Sequence, residues 1–195
     1  RANIRTIAGR RVSFNRGKSF MRMGGGLPAV AVHDLVIQPR EHDLVVGTHG
    51  RSIWIADIEA LEKISETELQ SKFAVLEPTL SKEKVYTSSR MILDFTASIN
   101  YISGANGICT VRLLTEKGTL LSEIKDSAET GINMVTIPVH VSKENLAAYE
   151  QELGDKKDQL DSSDPAFIVP PDGTYELEIV MAGQPAVRKK IVVRR

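Results

Sequence analysis

The 195-residue chain carries 25 Lys and Arg against 25 Asp and Glu, and a net charge of zero argues against a dedicated nucleic-acid binder. Apolar residues make up 42%, enough for a real core and too many for wholesale disorder, while the single cysteine excludes an intramolecular disulfide framework and a cysteine-rich zinc site. No run approaches the ~18 apolar residues that mark a membrane span, and aromatics at 5% count against a stacking platform for sugars or bases.

The charge is unevenly distributed. Residues 1–51 hold 9 basic and 3 acidic side chains, and residues 52–195 hold 16 and 22. Contact between regions of opposite sign would be weakened by salt and adds little stability by itself. The chain starts at Arg1 without an initiator Met and reads as a piece of something longer.

Residues 1–60 read as short strands and tight turns. Val12 and Phe14 alternate with Arg11 and Ser13, and Asn15-Arg16-Gly17-Lys18 is a turn with a return strand over 19–23. Gly24-Gly25-Gly26 is a flexible break; it lacks the Lys-Ser/Thr of a phosphate loop. Strands are predicted over 30–37, 44–47 and 52–55, separated by turns at 39–43 and 49–51. Residues 61–90 read as a short helical segment and connector. Ile58, Leu61 and Ile64 fall on one helical face, and Ser65 to Glu68 looks like a cap before a second short turn. Residues 74–89, with Pro78 and several Ser, Thr and Lys, are assigned to the connector.

Residues 91–195 return to strands, over 91–101, 108–114, 119–124, 131–139 and 187–193. Tyr175, Leu177 and Ile179 alternate with Glu176 and Glu178, the pattern of a half-buried antiparallel strand. One segment interrupts them: Leu146, Tyr149 and Leu153 form an amphipathic stripe on a helix over 142–153, followed by a polar excursion over 154–164. The fold class expected is all-β, with a blade-like meander followed by a small antiparallel sandwich carrying an inserted helix.

Ser13-Phe14-Asn15-Arg16-Gly17-Lys18-Ser19-Phe20 is similar to an Asp-box, with Ser13, Gly17, Ser19 and Phe20 matching and Asn15 in place of Asp. Leu27-Pro28, the run Val32 to Ile37, Pro39-Arg40 and the run Asp43 to Asp57 resemble the last blade of bacterial secreted, sortilin-like β-propellers with Asp-box (BNR) repeats, often described as glycosyl hydrolase-like. Val111 to Leu114, Gly131 to Val135 and Pro170 to Leu177 resemble the Ig-like sandwich of flagellar hook-capping proteins. The resemblance implies a secreted, periplasmic or cell-surface setting. It implies no cofactor. The partner it implies is the remainder of the propeller or another protein, with a glycan as a further ligand class, and with neither nucleic acid nor membrane insertion.

Ser13, Asn15, Gly17, Ser19 and Phe20 are therefore assigned structural roles, with Phe20 tucked between sheets. His33, Asp34, His49, Arg51, Trp54 and Asp57 are the polar and aromatic residues open to a ligand or a structural role, with Arg51 able to pair with Asp57 or Asp34. No HExxH and no compact metal-ligand spacing involves His33, His42 and His49. Asp34, Asp43 and Asp57 offer carboxylates, but spacing alone assembles no glycosidase pair. Cys109, in an apolar strand, reads as a small buried hydrophobe. The reading that follows is a non-catalytic structural or protein-interaction module. The alternative is the C-terminal part of a glycoside hydrolase or sialidase-like enzyme whose catalytic residues lie upstream.

Overall fold

A computed structural model describes residues 11–24, 30–86, 91–160 and 168–194. The predicted break at Gly25-Gly26, the Leu27-Pro28 pair, and the last part of the 154–164 excursion fall outside the described residues. The chain is mostly β, arranged in antiparallel sheets, and separates into two compact units. The first unit comprises Arg1–Glu77, Asn100–Asn106 and Ala128–Met134; the second comprises Pro78–Ile99, Gly107–Ser127 and Val135–Arg195.

In the first unit a two-residue pair, β1 (Arg11–Val12) and β2 (Met21–Arg22), flanks the 13–20 turn. A three-stranded meander follows, of β3 (Val32–Gln38), β4 (Asp43–Thr48) and β5 (Ile53–Asp57), with β4 in the centre. Its inward row includes Leu35, Ile37, Leu44 and Val46. These pack with Val12, Ile58 and Leu61 in one apolar cluster. Two short helices continue the chain, α1 (Glu59–Glu62) and α2 (Glu66–Gln70). The Ser65 side chain accepts from the Glu68 backbone N–H while the Glu68 carboxylate accepts from the Ser65 N–H, a reciprocal cap that fixes where α2 begins. Strand β6 (Phe73–Val75) then pairs with residues 101–103.

In the second unit β7 (Thr79–Tyr86) pairs along its whole length with the 91–98 part of β8 (Met91–Ser103). The described residues of the expected connector, 74–86, thus carry the end of β6 and the whole of β7. The sequence of β7, TLSKEKVY, has no apolar alternation because the strand lies at a sheet edge with four consecutive exposed residues. Backbone pairing rather than burial holds it, and its lysines suit an edge. The other sheet has the order β10–β9–β12–β13, from β9 (Gly107–Thr115), β10 (Leu120–Ala128), β12 (Gly173–Met181) and β13 (Val187–Val193); β11 (Gly131–Pro138) lies between them in the chain. Val111, Leu113, Leu121, Leu177, Ile179 and Val193 are fully buried at alternate positions.

The outward row of that sheet is a charge ladder. Arg112 on β9 donates to Glu123 on β10 at 2.8 Å and to Glu178 on β12 at 3.1 Å, while Arg188 on β13 donates to Glu178 at 2.8 Å and to Glu176 at 3.3 Å. The Arg188 hydrogen bonds lower the Glu178 carboxyl below its ordinary value, against an opposing desolvation and with further help from Arg112. A carboxyl held low in the folded state stabilises the fold above its unfolded value, and that contribution is lost as pH falls through the folded one. Glu178→Gln is therefore expected to lower the melting temperature at neutral pH and to narrow the gap to wild type in acid, as thermal melts across the acid range would read.

Helix α3 (Lys143–Leu153) starts one residue later than predicted. Ser142 makes no side-chain cap; instead the Asn145 amide donates to the Ser142 hydroxyl at 2.8 Å and to the Leu121 carbonyl at 3.2 Å. Of the predicted stripe only Tyr149 is fully buried, with Leu146 and Leu153 half-buried. Its hydroxyl meets that of Tyr175 at 3.1 Å, and Tyr175 donates to the Pro171 carbonyl at 2.7 Å. The start of the polar excursion is a 3₁₀ helix over Gly154–Gln159.

Candidate functional site

The 13–20 turn is organised by one amide side chain. Asn15 Oδ1 accepts from the Ser13 hydroxyl at 3.1 Å and from the Ser19 backbone N–H at 2.8 Å, while its Nδ2 donates to the Ser19 hydroxyl at 2.7 Å. Ser13 Oγ in turn accepts from the Gly17 N–H at 2.7 Å. Arg16 and Gly17 take positive φ, 60° and 86°, and the turn closes on them. Four of the five predicted turn residues therefore act on one another. Phe20 differs from its expected place: it is half-buried, lining an open cavity of about 390 Å³ with Phe14, Met21 and Leu69. The fully buried anchor of this region is Val12.

Asn15→Ala is expected to cost about 1–2 kcal/mol, since it removes an acceptor shared by two donors, whereas Asn15→Asp keeps that acceptor and should cost under about 1 kcal/mol. Chemical denaturation of the two variants checks the order.

The three-stranded meander carries the other predicted residues. Asp34 spends its carboxylate on the Leu35 N–H at 2.8 Å, and Asp57 spends its own on the Glu59 N–H at 2.8 Å. Arg51 forms no ion pair with either, contrary to the expected bridge. Instead its carbonyl accepts from the Trp54 indole at 2.9 Å, which pins the 51–54 turn. Register places Asp43 opposite Asp57 and Asp34 opposite Gly47, so Asp43 and Asp57 are cross-strand neighbours and Asp34 lies four positions along β4. His42, at positive φ in the 39–43 turn, bonds Glu62 at 2.6 Å and ties that turn to α1. In the second unit Cys109 is fully buried and His140 bonds Asp94 at 2.8 Å. No protein-family model, curated protein or solved structure matches the chain.

Two features of the meander lie beyond the sequence-level reading. The first is its outward row. Val36 pairs with Val45 and Val45 with Ile55, and Val36, Ile53 and Ile55 are 60%, 69% and 65% exposed. The signal was present in the triplets Leu35-Val36-Ile37, Leu44-Val45-Val46 and Ile53-Trp54-Ile55, which are apolar on both faces of each strand. The second is contact between His33 and His49, 16 residues apart in the chain and 2.9 Å apart at their ring nitrogens. Nothing in their spacing signals it, because a bulge in β3 creates it.

Proposed function

We propose that the chain is a non-catalytic structural or protein-interaction module, the terminal blade and Ig-like sandwich of a secreted or periplasmic Asp-box propeller protein. The observation that carries this reading is the exposed apolar face of β3–β4–β5. A sheet with apolar residues on both faces is suited to burial between two neighbours, and an exposed contiguous apolar patch marks an interaction surface. One face is covered by the cluster around Ile58 and Leu61. The other, bearing Val36, Ile53 and Ile55, offers itself to a neighbouring blade of a propeller. The Asn15-centred turn supports the Asp-box reading, with the amide performing the turn bonding of the usual carboxylate. The four-stranded order β10–β9–β12–β13, with alternate residues buried, supports a sandwich in the second unit.

The test is a double variant, Ile53→Lys with Ile55→Lys, added in trans to the remaining blades. Both side chains are exposed, so the chain keeps its own melting transition. The expected result is loss of association with those blades. Association equal to that of wild type would overturn the reading.

A further inference from the structure

We propose that His33 and His49 form a two-imidazole site for a late first-row divalent ion, such as zinc or nickel, on the surface of the first unit. The backbone builds the pair. Val32 is opposite Thr48 and Asp34 opposite Gly47, so His33 is the extra residue of a bulge, and a bulge re-aims its side chain. His49 is the first residue beyond β4, and its N–H donates to the Ala31 carbonyl at 2.9 Å, which fixes its backbone beside β3. The turn that follows is held separately: Thr48 donates to the Ser52 carbonyl from both N–H and hydroxyl, at 3.3 and 2.6 Å. Main-chain bonds and the bulge thus bring the backbone of the two histidines together, and the rings meet each other from there.

His33 Nε2 faces His49 Nδ1 at 2.9 Å, with ring centres 4.9 Å apart and planes inclined by 29°. One nitrogen of each ring thus approaches the other closely, with the two planes inclined to one another. One nitrogen carries the shared proton and the other accepts it. A zinc ion bound to both at about 2.0–2.1 Å with a tetrahedral angle holds its two nitrogens about 3.3 Å apart. For an ion at those bond lengths to replace the proton, the nitrogens part by about 0.4 Å and the rings, both exposed, turn so that each lone pair points at the ion instead of at the other nitrogen. The ring that donated gives that proton to solvent and takes one up at its remote nitrogen, so both imidazoles stay neutral and the site gains the charge of the ion. Both rings are exposed, leaving the outer coordination positions to water. Among the described residues no group of three or more His, Cys, Asp and Glu could hold a metal ion, so the protein contributes two ligands here. Imidazole selects zinc, nickel or copper over magnesium and calcium, which demand oxygen ligands. This site does not depend on the propeller reading.

Isothermal titration of the untagged chain with zinc and nickel ions at neutral pH tests it. The expected result is one ion per chain, with magnesium giving no binding. His33→Gln and His49→Gln should each weaken binding by about tenfold or more, because each removes half of the protein ligands. His42→Gln and His140→Gln, whose rings bond carboxylates elsewhere, should bind as wild type. Side-chain nitrogen NMR of the wild type should place the zinc-induced shifts at His33 Nε2 and His49 Nδ1. No saturable binding, a loss below about tenfold in either of the first two variants, or shifts confined to other histidines would each overturn the proposal.

Discussion

Gly131→Ala is expected to destabilise the chain by about 3–4 kcal/mol, by combining backbone strain with a steric clash. Gly131 opens β11 at φ +115°, a conformation that side chains rarely adopt, and a Cβ built there would lie 2.5 Å from the Arg22 carbonyl oxygen and 3.0 Å from the Arg22 Cβ. The neighbours cannot give way cheaply. Met23 forms a parallel bridge with Ile132, and the Gly24 N–H donates to the Ile132 carbonyl at 2.6 Å. The preceding turn is held by buried Asn133, whose Oδ1 accepts from the Glu129 N–H at 2.9 Å and whose amide donates to the Glu129 carbonyl at 2.7 Å; Glu129 also pairs with Arg22. Urea denaturation reads the effect directly, and a loss under about 1 kcal/mol would mean that this close approach is not made in solution.

Phe95→Ala is expected to cost about 3–5 kcal/mol, the range for deleting a buried phenylalanine ring whose site cannot collapse. Phe95 is 1% exposed in β8, its carbonyl accepts from the Val139 N–H at 2.7 Å, and Lys82 of β7 places its ammonium 5.6 Å from the ring centre. Phe20→Ala supplies the contrast. That ring is half-buried beside an open cavity, so its loss should cost about 1 kcal/mol. Equal costs for the two variants, measured by the same denaturant titration, would show that burial is misassigned at one of them.

Where local chemistry determines structure, the sequence was readable. Strand β13 spans Val187–Val193 as its apolar residues predict, and β12 buries Tyr175, Leu177 and Ile179 while Glu176 and Glu178 face the charge ladder. The Ser65–Glu68 cap and the Asn15 turn are short-range hydrogen-bond patterns written in neighbouring residues. Features that depend on distant partners were hidden. Strand β7 has its pairing surface in its backbone, which leaves no mark on residue type. Residues 100–106 and 128–134 belong to the first unit through contacts such as Gly104 N–H to the Lys72 carbonyl and Gly24 N–H to the Ile132 carbonyl, both far apart in the chain. The expected Arg51 bridge failed because Asp34 and Asp57 turn their carboxylates to adjacent backbone N–H groups, a local competitor that charge pairing does not register. The His33–His49 contact needed a bulge whose position no periodicity specifies.

The proposed packing role of the β3–β4–β5 outer face is tested most directly by thiol labelling. Cys109 is the chain's single cysteine and is fully buried, so Ile55→Cys places one reactive thiol at a position 65% exposed. Its rate of reaction with a maleimide should match that of an exposed cysteine in the chain alone, and should fall by about tenfold or more in a polypeptide that adds the neighbouring blade of the proposed propeller. Equal rates in the two would contradict a face covered by an adjoining sheet.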